Sequence, residues 1–141
     1  LACQRVFATP WDITITPLDT CGTVLLRGDN FEAVKQSEDP LAKAVMANHF
    51  LWCEQVKDWP IISEIDPQTQ SSLLYDTVAV YLAFSESLLE MEQLPIVITD
   101  DGKTLVDDAG QLVNCAMNWK DQHAFEKLVT ARLTDSGFGR A

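Results

Sequence analysis

The sequence predicts an α/β fold, an open sheet flanked by helices with a small antiparallel β-hairpin or meander. Residues 12–16 alternate polar with β-branched apolar side chains, which is typical of a strand. A long helical pattern begins at Asp39, where an N-cap aspartate is followed by proline at the first helical position. An Asp-Gly pair at 101–102 stands between two extended runs, which indicates a hairpin.

The first elements lead to a turn that could carry function. Residues 1–7 are predicted to be helical, and the strand over 12–16 ends at Pro17. A turn follows over 18–22. Ligands usually bind at the carboxyl edge of an open α/β sheet, so Asp19 in this turn is a candidate functional residue. The alternative is that Asp19 fixes the turn through a hydrogen bond from its side chain to the backbone.

The middle of the chain is predicted to be mainly helical. A short extended piece over 23–26 precedes a helix over 31–37. The helix that Asp39 caps keeps its apolar spacing to about Trp59. A polar connection over 61–70 follows.

The cysteines and histidines give little support for a metal site. The cysteines stand at positions 3, 21, 53 and 115, without the spacing of about two to four residues that zinc knuckles have. His49 and Cys53 are four residues apart on a predicted helix, and two ligands without others indicate packing residues. Widely spaced cysteines are typical of buried reduced thiols, with a disulfide as the alternative. The sequence therefore predicts a cytoplasmic location.

The most apolar stretch runs over 71–84. It predicts a helix that is capped by Ser71 or Ser72 and buried on nearly every face. Asp76 is its only carboxylate. A buried charge without a partner costs several kcal/mol, so Asp76 needs one. The helix N-terminal amides are the simplest partner, and a metal ion or a bound hydroxyl group is the alternative.

The remainder predicts a β-meander and a closing helix. Residues 85–91 are predicted to form a helical turn. Three strands are predicted, over 94–99, 104–106 and 111–117. The acidic turns between them lack the spacing of a calcium-binding loop, so their aspartates are interpreted as solvated turn residues. Asp121 caps a final helix to about Leu133, and 134–141 is predicted to be a frayed tail.

Composition limits the partners. The formal net charge of -11 over 141 residues argues against nucleic acid and against anionic membrane surfaces. No apolar run approaches the roughly 20 residues that a membrane-spanning helix needs. The length suits a single domain over 1–141. Because the chain begins inside a predicted helix and without methionine, we expect it to be a piece of a longer protein.

Two motifs resemble the inosine/uridine-preferring nucleoside hydrolase family. Residues 74–80, LYDTVAV, are similar to the family's His-Asp-x-x-Ala helix start. Residues 13–20, ITITPLDT, are similar to its strand ending in Leu-Asp-Val-Thr, and residues 6–7 resemble the tail of the preceding helix. The motifs occur in the family's order, with a helical insert of about its usual length between them.

The resemblance implies the C-terminal portion of an open nucleoside-hydrolase-like sheet, from a calcium-dependent enzyme of about twice this length. Such enzymes cleave the N-glycosidic bond of ribonucleosides with calcium-bound water. The family's aspartate is a calcium ligand and its histidine lies beside the nucleobase, which implies that Asp76 binds metal and Tyr75 contacts substrate. Tyr75 departs from the family's histidine, and a phenol with a pKa of about 10 is a poor proton shuttle near neutrality.

A second departure concerns catalysis. The family's Asp-x-Asp-x-x-x-Asp-Asp cluster does not occur in this sequence. Since calcium takes roughly six to eight oxygen ligands, we expect the chain alone to bind it weakly or not at all and to hold no catalytic residue. Two alternatives stay open. The chain is a non-catalytic interaction module, forming a homo-oligomer through an exposed sheet edge, or part of an inactive nucleoside-binding relative.

Overall fold

The computed structural model describes residues 1–59 and 66–137. Within them, the sheet has four strands: β1 Thr14–Ile15, β2 Leu89–Ile98, β3 Thr104–Val106 and β4 Gln111–Trp119. The same residues form six helices: α1 Ala2–Phe7, α2 Leu18–Cys21, α3 Gly28–Lys35, α4 Pro40–Gln55, α5 Tyr75–Leu82 and α6 Gln122–Thr134.

The strands are not ordered as they occur in the chain. Their order across the sheet is β1-β4-β2-β3, so β2 is an inner strand. β1 pairs parallel to β4, whereas β2 is antiparallel to both β4 and β3. The sheet is therefore open, as predicted, and it is mixed, with one parallel and two antiparallel pairings among the described strands.

Pro95 lies inside β2 rather than at a strand start. The strand begins at Leu89, where a helical turn was predicted over 85–91. The Pro95 carbonyl accepts a hydrogen bond from Asp107 N at 2.9 Å, on the side of β3. The N–H and C=O of one strand residue point to the same side of the strand. The backbone N–H that Pro95 lacks would therefore face the chain just beyond Val106. There β3 has already ended, which explains why an inner strand tolerates this proline.

The predicted hairpin is confirmed, but the sequential meander is wrong. Gly102 has a φ of 87° in the turn between β2 and β3. The next turn carries the chain past the end of β2, so that β4 pairs on the other side. Gly110 makes this crossing close: a Cβ there would lie 2.5 Å from the carbonyl carbon and oxygen of Ile96.

The two predicted N-caps are confirmed. Asp39 Oδ1 accepts a hydrogen bond from Leu41 N at 2.8 Å, and Asp121 Oδ1 accepts one from Ala124 N at 2.9 Å. These bonds satisfy amides that a helix start leaves unpaired. Helix α4 ends at Gln55, four residues before the predicted end, and the predicted turn over 18–22 is largely the short helix α2.

Apolar side chains pack on both faces of the sheet. Cys115 and Ala116 are neighbours on β4 and therefore face opposite sides. Ala116 belongs to the central cluster, with Val78, Tyr81, Leu89 and Phe125. Cys115 belongs to the cluster that packs against Phe7 of α1. Helices therefore cover both faces, and the predicted α/β class is confirmed.

A third cluster joins α3 and α4. It contains Leu26, Phe31, Val34, Ala42 and Met46. Leu74 and Val129 pack against this cluster and against the central one. The clusters therefore adjoin through the segment that leads into α5 and through α6.

The ends of two predicted segments fall outside the described residues. Residues 61–65 of the predicted polar connection and 138–141 of the predicted tail are not described. The described part of the tail is held, because Ser136 N and Ser136 Oγ donate hydrogen bonds to Asp39 at 3.0 and 2.8 Å. Among the described helices, none is both long and apolar enough to cross a membrane.

Candidate functional site

Tyr75 and Asp76 are the first two residues of α5. The helix begins at Tyr75, not at the predicted serines, and its N-cap is Leu74, which offers no side-chain hydrogen bond. Ser71 Oγ is used elsewhere: it accepts a hydrogen bond from Leu26 N at 2.9 Å and donates one to Ser72 O at 2.7 Å. The predicted serine cap is therefore wrong, because the Ser71 hydroxyl serves a contact between distant segments.

That contact fixes where α5 begins. Residues 70–74 run beside residues 24–27, with Ser71 N donating to Leu26 O at 3.0 Å and Leu74 N donating to Val24 O at 2.9 Å. At the end of this pair of segments, the Arg27 side chain adds a hydrogen bond from Nε to Gln70 Oε1 at 2.9 Å. The start of the helix is thereby tied to the core through backbone hydrogen bonds.

The predicted burial of α5 on nearly every face is wrong. Val78 and Tyr81 face the core at 0% and 3% exposure, whereas Val80 is 64% exposed and Phe84, just after the helix, is 65% exposed. Asp76 is exposed as well. Its carboxylate makes no hydrogen bond or ion pair with the described part of the chain. Water and the N-terminal end of the helix dipole therefore suffice to stabilise its charge.

The residues around Asp76 do not make a calcium site. Within 1–59 and 66–137, no three His, Cys, Asp or Glu side chains form a group that could hold a metal ion. One carboxylate offers at most two oxygens, whereas calcium takes roughly six to eight. The described residues therefore do not fit a complete calcium site. At most, Asp76 supplies one ligand to a site whose other ligands come from outside the described residues.

The turn after β1 lies next to α5. Helix α2, which contains Asp19, contacts α5, so the elements that carry the two motifs adjoin. The Asp19 side chain is exposed and forms no hydrogen bond with the described residues, so its predicted role in fixing the turn is wrong. Backbone bonds hold the turn instead, since Thr20 N and Cys21 N both donate to Pro17 O.

Two buried hydroxyls, one just after β1 and one in this turn, lack a partner among the described residues. Thr16 Oγ1 and Thr20 Oγ1 are buried without a hydrogen bond to any described residue. A buried polar group without a partner costs roughly 1–3 kcal/mol. Both threonines lie in the motif over 13–20, but the sequence pattern gave no sign that their hydroxyls would be buried.

A groove between α5 and α6 was not predicted. Its volume is about 560 Å³, and Asp76 and Arg132 line it together with the apolar side chains of Val80, Phe84 and Leu128. The sequence gave no signal that the outer face of α5 would stay uncovered beside α6.

His49 is a packing residue, as predicted. It is 7% exposed, and its ring lies against Phe31 and Phe50, with ring centroids 5.9 and 5.3 Å away. Its Nε2 lies 3.1 Å from Pro67 O, and its Nδ1 lies 3.7 Å from Cys53 Sγ. Burial raises the pKa of the Cys53 thiol.

The cysteine prediction is confirmed for three of the four positions. None of the four cysteines forms a disulfide. Cys21, Cys53 and Cys115 are buried as free thiols, whereas Cys3 is exposed on α1.

Comparison with known proteins gives one type of match. No protein-family model matches the sequence, and no curated protein matches it. Among solved structures, the fold is similar to that of a plant nucleoside hydrolase, the PpNRh1 enzyme, with a TM-score of 0.76 at 17% sequence identity. The similarity covers 95% of this chain and 45% of that chain, so the chain spans less than half of that structure.

The chain therefore has a nucleoside-hydrolase-like fold. Its open sheet flanked by helices matches part of such an enzyme, which confirms the predicted fold class. At 17% identity the match concerns the fold, and it carries no preference for inosine or uridine.

Proposed function

We propose that this chain is the C-terminal part of a longer nucleoside N-ribohydrolase-like enzyme, which cleaves the N-glycosidic bond of ribonucleosides. The observation that carries the proposal is the fold: nearly all of this chain, 95%, superposes on part of a nucleoside hydrolase. Because the described residues hold no complete metal site and the matched structure is more than twice as long, the chain alone is inactive in this proposal.

Within the longer enzyme, Asp76 is proposed as one calcium ligand and Tyr75 as a substrate contact. Their position supports this. Both side chains lie at the exposed start of α5, and the carboxylate is free of protein partners in the described part of the chain. The phenol of Tyr75 can donate a hydrogen bond to a nucleobase, but its ordinary pKa of about 10 does not suit proton transfer near neutrality.

The first test is the coding sequence upstream of Leu1. The proposal expects an Asp-x-Asp-x-x-x-Asp-Asp cluster after a first strand, which would supply the carboxylates that Asp76 lacks. A start codon directly before Leu1, or an unrelated domain, would overturn it.

The second test is hydrolysis of inosine and uridine, with calcium present. The longer protein is expected to release free base, and the purified 141-residue chain is expected to release none. In the longer protein, Asp76→Asn should lower kcat/KM by at least about a hundredfold, because the calcium ion would lose a charged ligand. Asp29→Asn, an exposed aspartate on α3, is the matched control and should leave the rate unchanged.

We also propose that the protein works in a reducing compartment such as the cytoplasm. Three buried free thiols support this, because thiols persist where glutathione keeps them reduced. Fractionation of cells that produce the protein would test it, and recovery with secreted proteins would contradict it.

A second candidate function is an interaction module. The apolar groove between α5 and α6 favours it, because Val80 and Phe84 leave apolar surface uncovered there. Nucleoside hydrolysis by the longer protein would favour the hydrolase over the interaction module.

A further inference from the structure

His49 makes one contact that packing alone does not explain. Its ring is buried against Phe31 and Phe50, and its Nε2 lies 3.1 Å from the backbone oxygen of Pro67, 18 positions along the chain. A carbonyl oxygen only accepts hydrogen bonds, so Nε2 carries the proton and donates it. In the neutral ring Nδ1 is then an acceptor, and it lies 3.7 Å from Cys53 Sγ. The bond from Nε2 therefore joins α4 to a segment that is distant in the sequence.

Pro67 belongs to a closed turn over 66–70. Thr69 N and Gln70 N both donate hydrogen bonds to Asp66 O, at 3.1 and 3.2 Å. Because these bonds make the turn one unit, a contact that holds Pro67 also holds Gln70. The turn leads directly into the residues that pair with 24–27 and then into α5. His49 is thereby connected to the start of that helix through a short and well-bonded stretch of backbone.

Two further side chains bind this turn, and both do so at the surface. Lys35 Nζ donates to Gln68 O at 2.8 Å, and Arg27 Nε donates to Gln70 Oε1 at 2.9 Å, both in exposed positions. Water competes for exposed hydrogen bonds, whereas a hydrogen bond in lower dielectric is stronger and costs more to leave unmade. The His49 bond is partly buried and its ring is 7% exposed. Of the three contacts, it is the one that water weakens least.

We propose that His49 is a positioning residue for the start of α5. By holding Pro67, it fixes the segment that leads into the helix, and so the place of Tyr75 and Asp76 at its first two positions. The backbone pairing within that segment is short, and two paired segments alone are marginally stable in water. The bond to the buried face of α4 therefore decides how firmly the segment is held. His49 acts through this backbone and not through a contact of its own with substrate.

The effect on catalysis rests on the proposed function, whereas the attachment of the segment does not. Two measurements separate them. Exchange of backbone amides reports on the segment in this chain, and hydrolysis of inosine reports on the site in the longer protein.

Hydrogen exchange of the purified chain tests the attachment. The amides of Ser71 and Leu74 bond the segment to its neighbour. In His49→Ala they should exchange at least about fivefold faster, because loss of the bond to Pro67 lets the segment open locally. The amide of Asn114, which is hydrogen-bonded beside β1, is the internal reference and should keep its rate.

Two variants separate the hydrogen bond from packing. His49→Gln keeps an N–H donor within reach of Pro67 O and should return the Ser71 and Leu74 amides to within about twofold of their original rates. Cys53→Ala removes a buried side chain from the same face of α4 but leaves the donor in place. It should lower the free energy of unfolding in urea and change these two amides by less than about twofold.

Hydrolysis tests the consequence for the site. In the longer protein, kcat/KM for inosine should fall about tenfold in His49→Ala, return to within about threefold in His49→Gln and stay within about twofold in Cys53→Ala. A role in stability alone would instead make activity follow the urea stability in all three variants.

The proposal is overturned if the Ser71 and Leu74 amides keep their rates in His49→Ala, or if His49→Gln does not restore them. It is also overturned if the longer protein hydrolyses inosine and His49→Ala keeps the full kcat/KM, a result that would leave the hydrolase function intact. A longer protein that releases no base would refute the hydrolase, and the exchange rates would then decide on His49.

Discussion

Tyr81 shows how a single side chain closes the end of α5. Its hydroxyl lies 3.0 Å from both Ser85 Oγ and Ser87 Oγ and accepts a hydrogen bond from Leu88 N at 3.3 Å. The ring itself is 3% exposed. One phenol thus joins the core to the turn that leads into β2.

We expect Tyr81→Phe to lower the free energy of unfolding by about 1–2 kcal/mol, because Leu88 N–H loses its partner while the ring stays packed. Urea denaturation measures the loss. Tyr75→Phe is the control: Tyr75 is 37% exposed and bonds to no described residue, so the change should stay within about 0.5 kcal/mol. Equal losses in the two variants would contradict the proposed role of the Tyr81 hydroxyl.

Asp39 joins the start of α4 to the residues after α6. Its carboxylate accepts hydrogen bonds from Ser136 Oγ and Ser136 N and from Leu41 N. The bond from the Ser136 hydroxyl is the largest influence and lowers the pKa of Asp39. Partial desolvation opposes it, and the backbone donors act in the same direction as the hydroxyl.

A lowered pKa means that the ionised carboxylate stabilises the folded state. The contribution is present above the ordinary aspartate pKa of about 3.9 and is lost as the pH falls through the lower pKa of the folded state. Asp39→Asn should therefore lower the melting temperature at pH 7. It should also make the melting temperature fall less steeply as the pH is lowered. Asp108→Asn, at an exposed turn, should keep the original profile. An unchanged acid profile in Asp39→Asn would count against this account.

At the scale of elements, two glycines shape the β region for different reasons. Gly102 takes a φ of 87°, which costs other residues roughly 1–2 kcal/mol. Gly110 is limited by space: a Cβ there would lie 2.5–2.6 Å from backbone atoms of Ile96, which cannot rotate away. The first glycine serves the hairpin turn, and the second serves the crossing past β2.

Gly102→Ala should therefore destabilise the chain by about 1 kcal/mol, and Gly110→Ala by more than about 2 kcal/mol, since the β2–β4 pairing itself must shift. Urea unfolding gives both values. Hydrogen exchange should show faster exchange of β4 amides in Gly110→Ala only. If the two variants lose equal stability and leave β4 protected, close approach at Gly110 does not fix the strand order.

Elements with local signals were predictable from the sequence. Asp39 and Asp121 cap helices through amides two and three residues away, and the turn at Gly102 depends on one dihedral angle. Ser71 was misassigned because its partner, Leu26 N, is 45 positions distant. The predicted strand order was wrong for the same reason, because the observed order depends on contact between Gly110 and Ile96.

The candidate site was likewise predictable from the sequence only in part. That Tyr75 and Asp76 adjoin at the start of a helix follows from the sequence. Their exposure does not, because apolar composition in α5 cannot show which face another element covers. Val80 and Phe84 look like core residues in the sequence and are exposed in the fold. The groove beside them therefore required the structure.

For the whole molecule, the question is whether the three apolar clusters unfold as one unit. Leu74 and Val129 pack against two of the clusters. Cys115 and Ala116 connect the third to the central one through adjacent positions on β4. Shared residues of this kind couple the clusters, and we expect the chain to behave as the single domain that its length predicts.

The cysteines are placed to test this, because each buried thiol reports on a different region. Cys21 belongs to the central cluster, Cys115 to the cluster under α1, and Cys53 lies on α4. Burial raises the pKa of the Cys53 and Cys115 thiols, and Glu92 adds to the effect at Cys115, so few thiolates form in the folded state. Exposed Cys3 should react at once with a thiol reagent, and the other three should react slowly.

A Cys3→Ser variant leaves only the three buried thiols for the measurement. In a urea series, their labelling should rise over one denaturant range, because opening any cluster removes side chains that its neighbour packs against. Mass spectrometry of the labelled peptides distinguishes the sites. Labelling of Cys115 at lower urea than Cys21 would show that the sheet face under α1 opens by itself, and the chain would then comprise two folding units joined at β4.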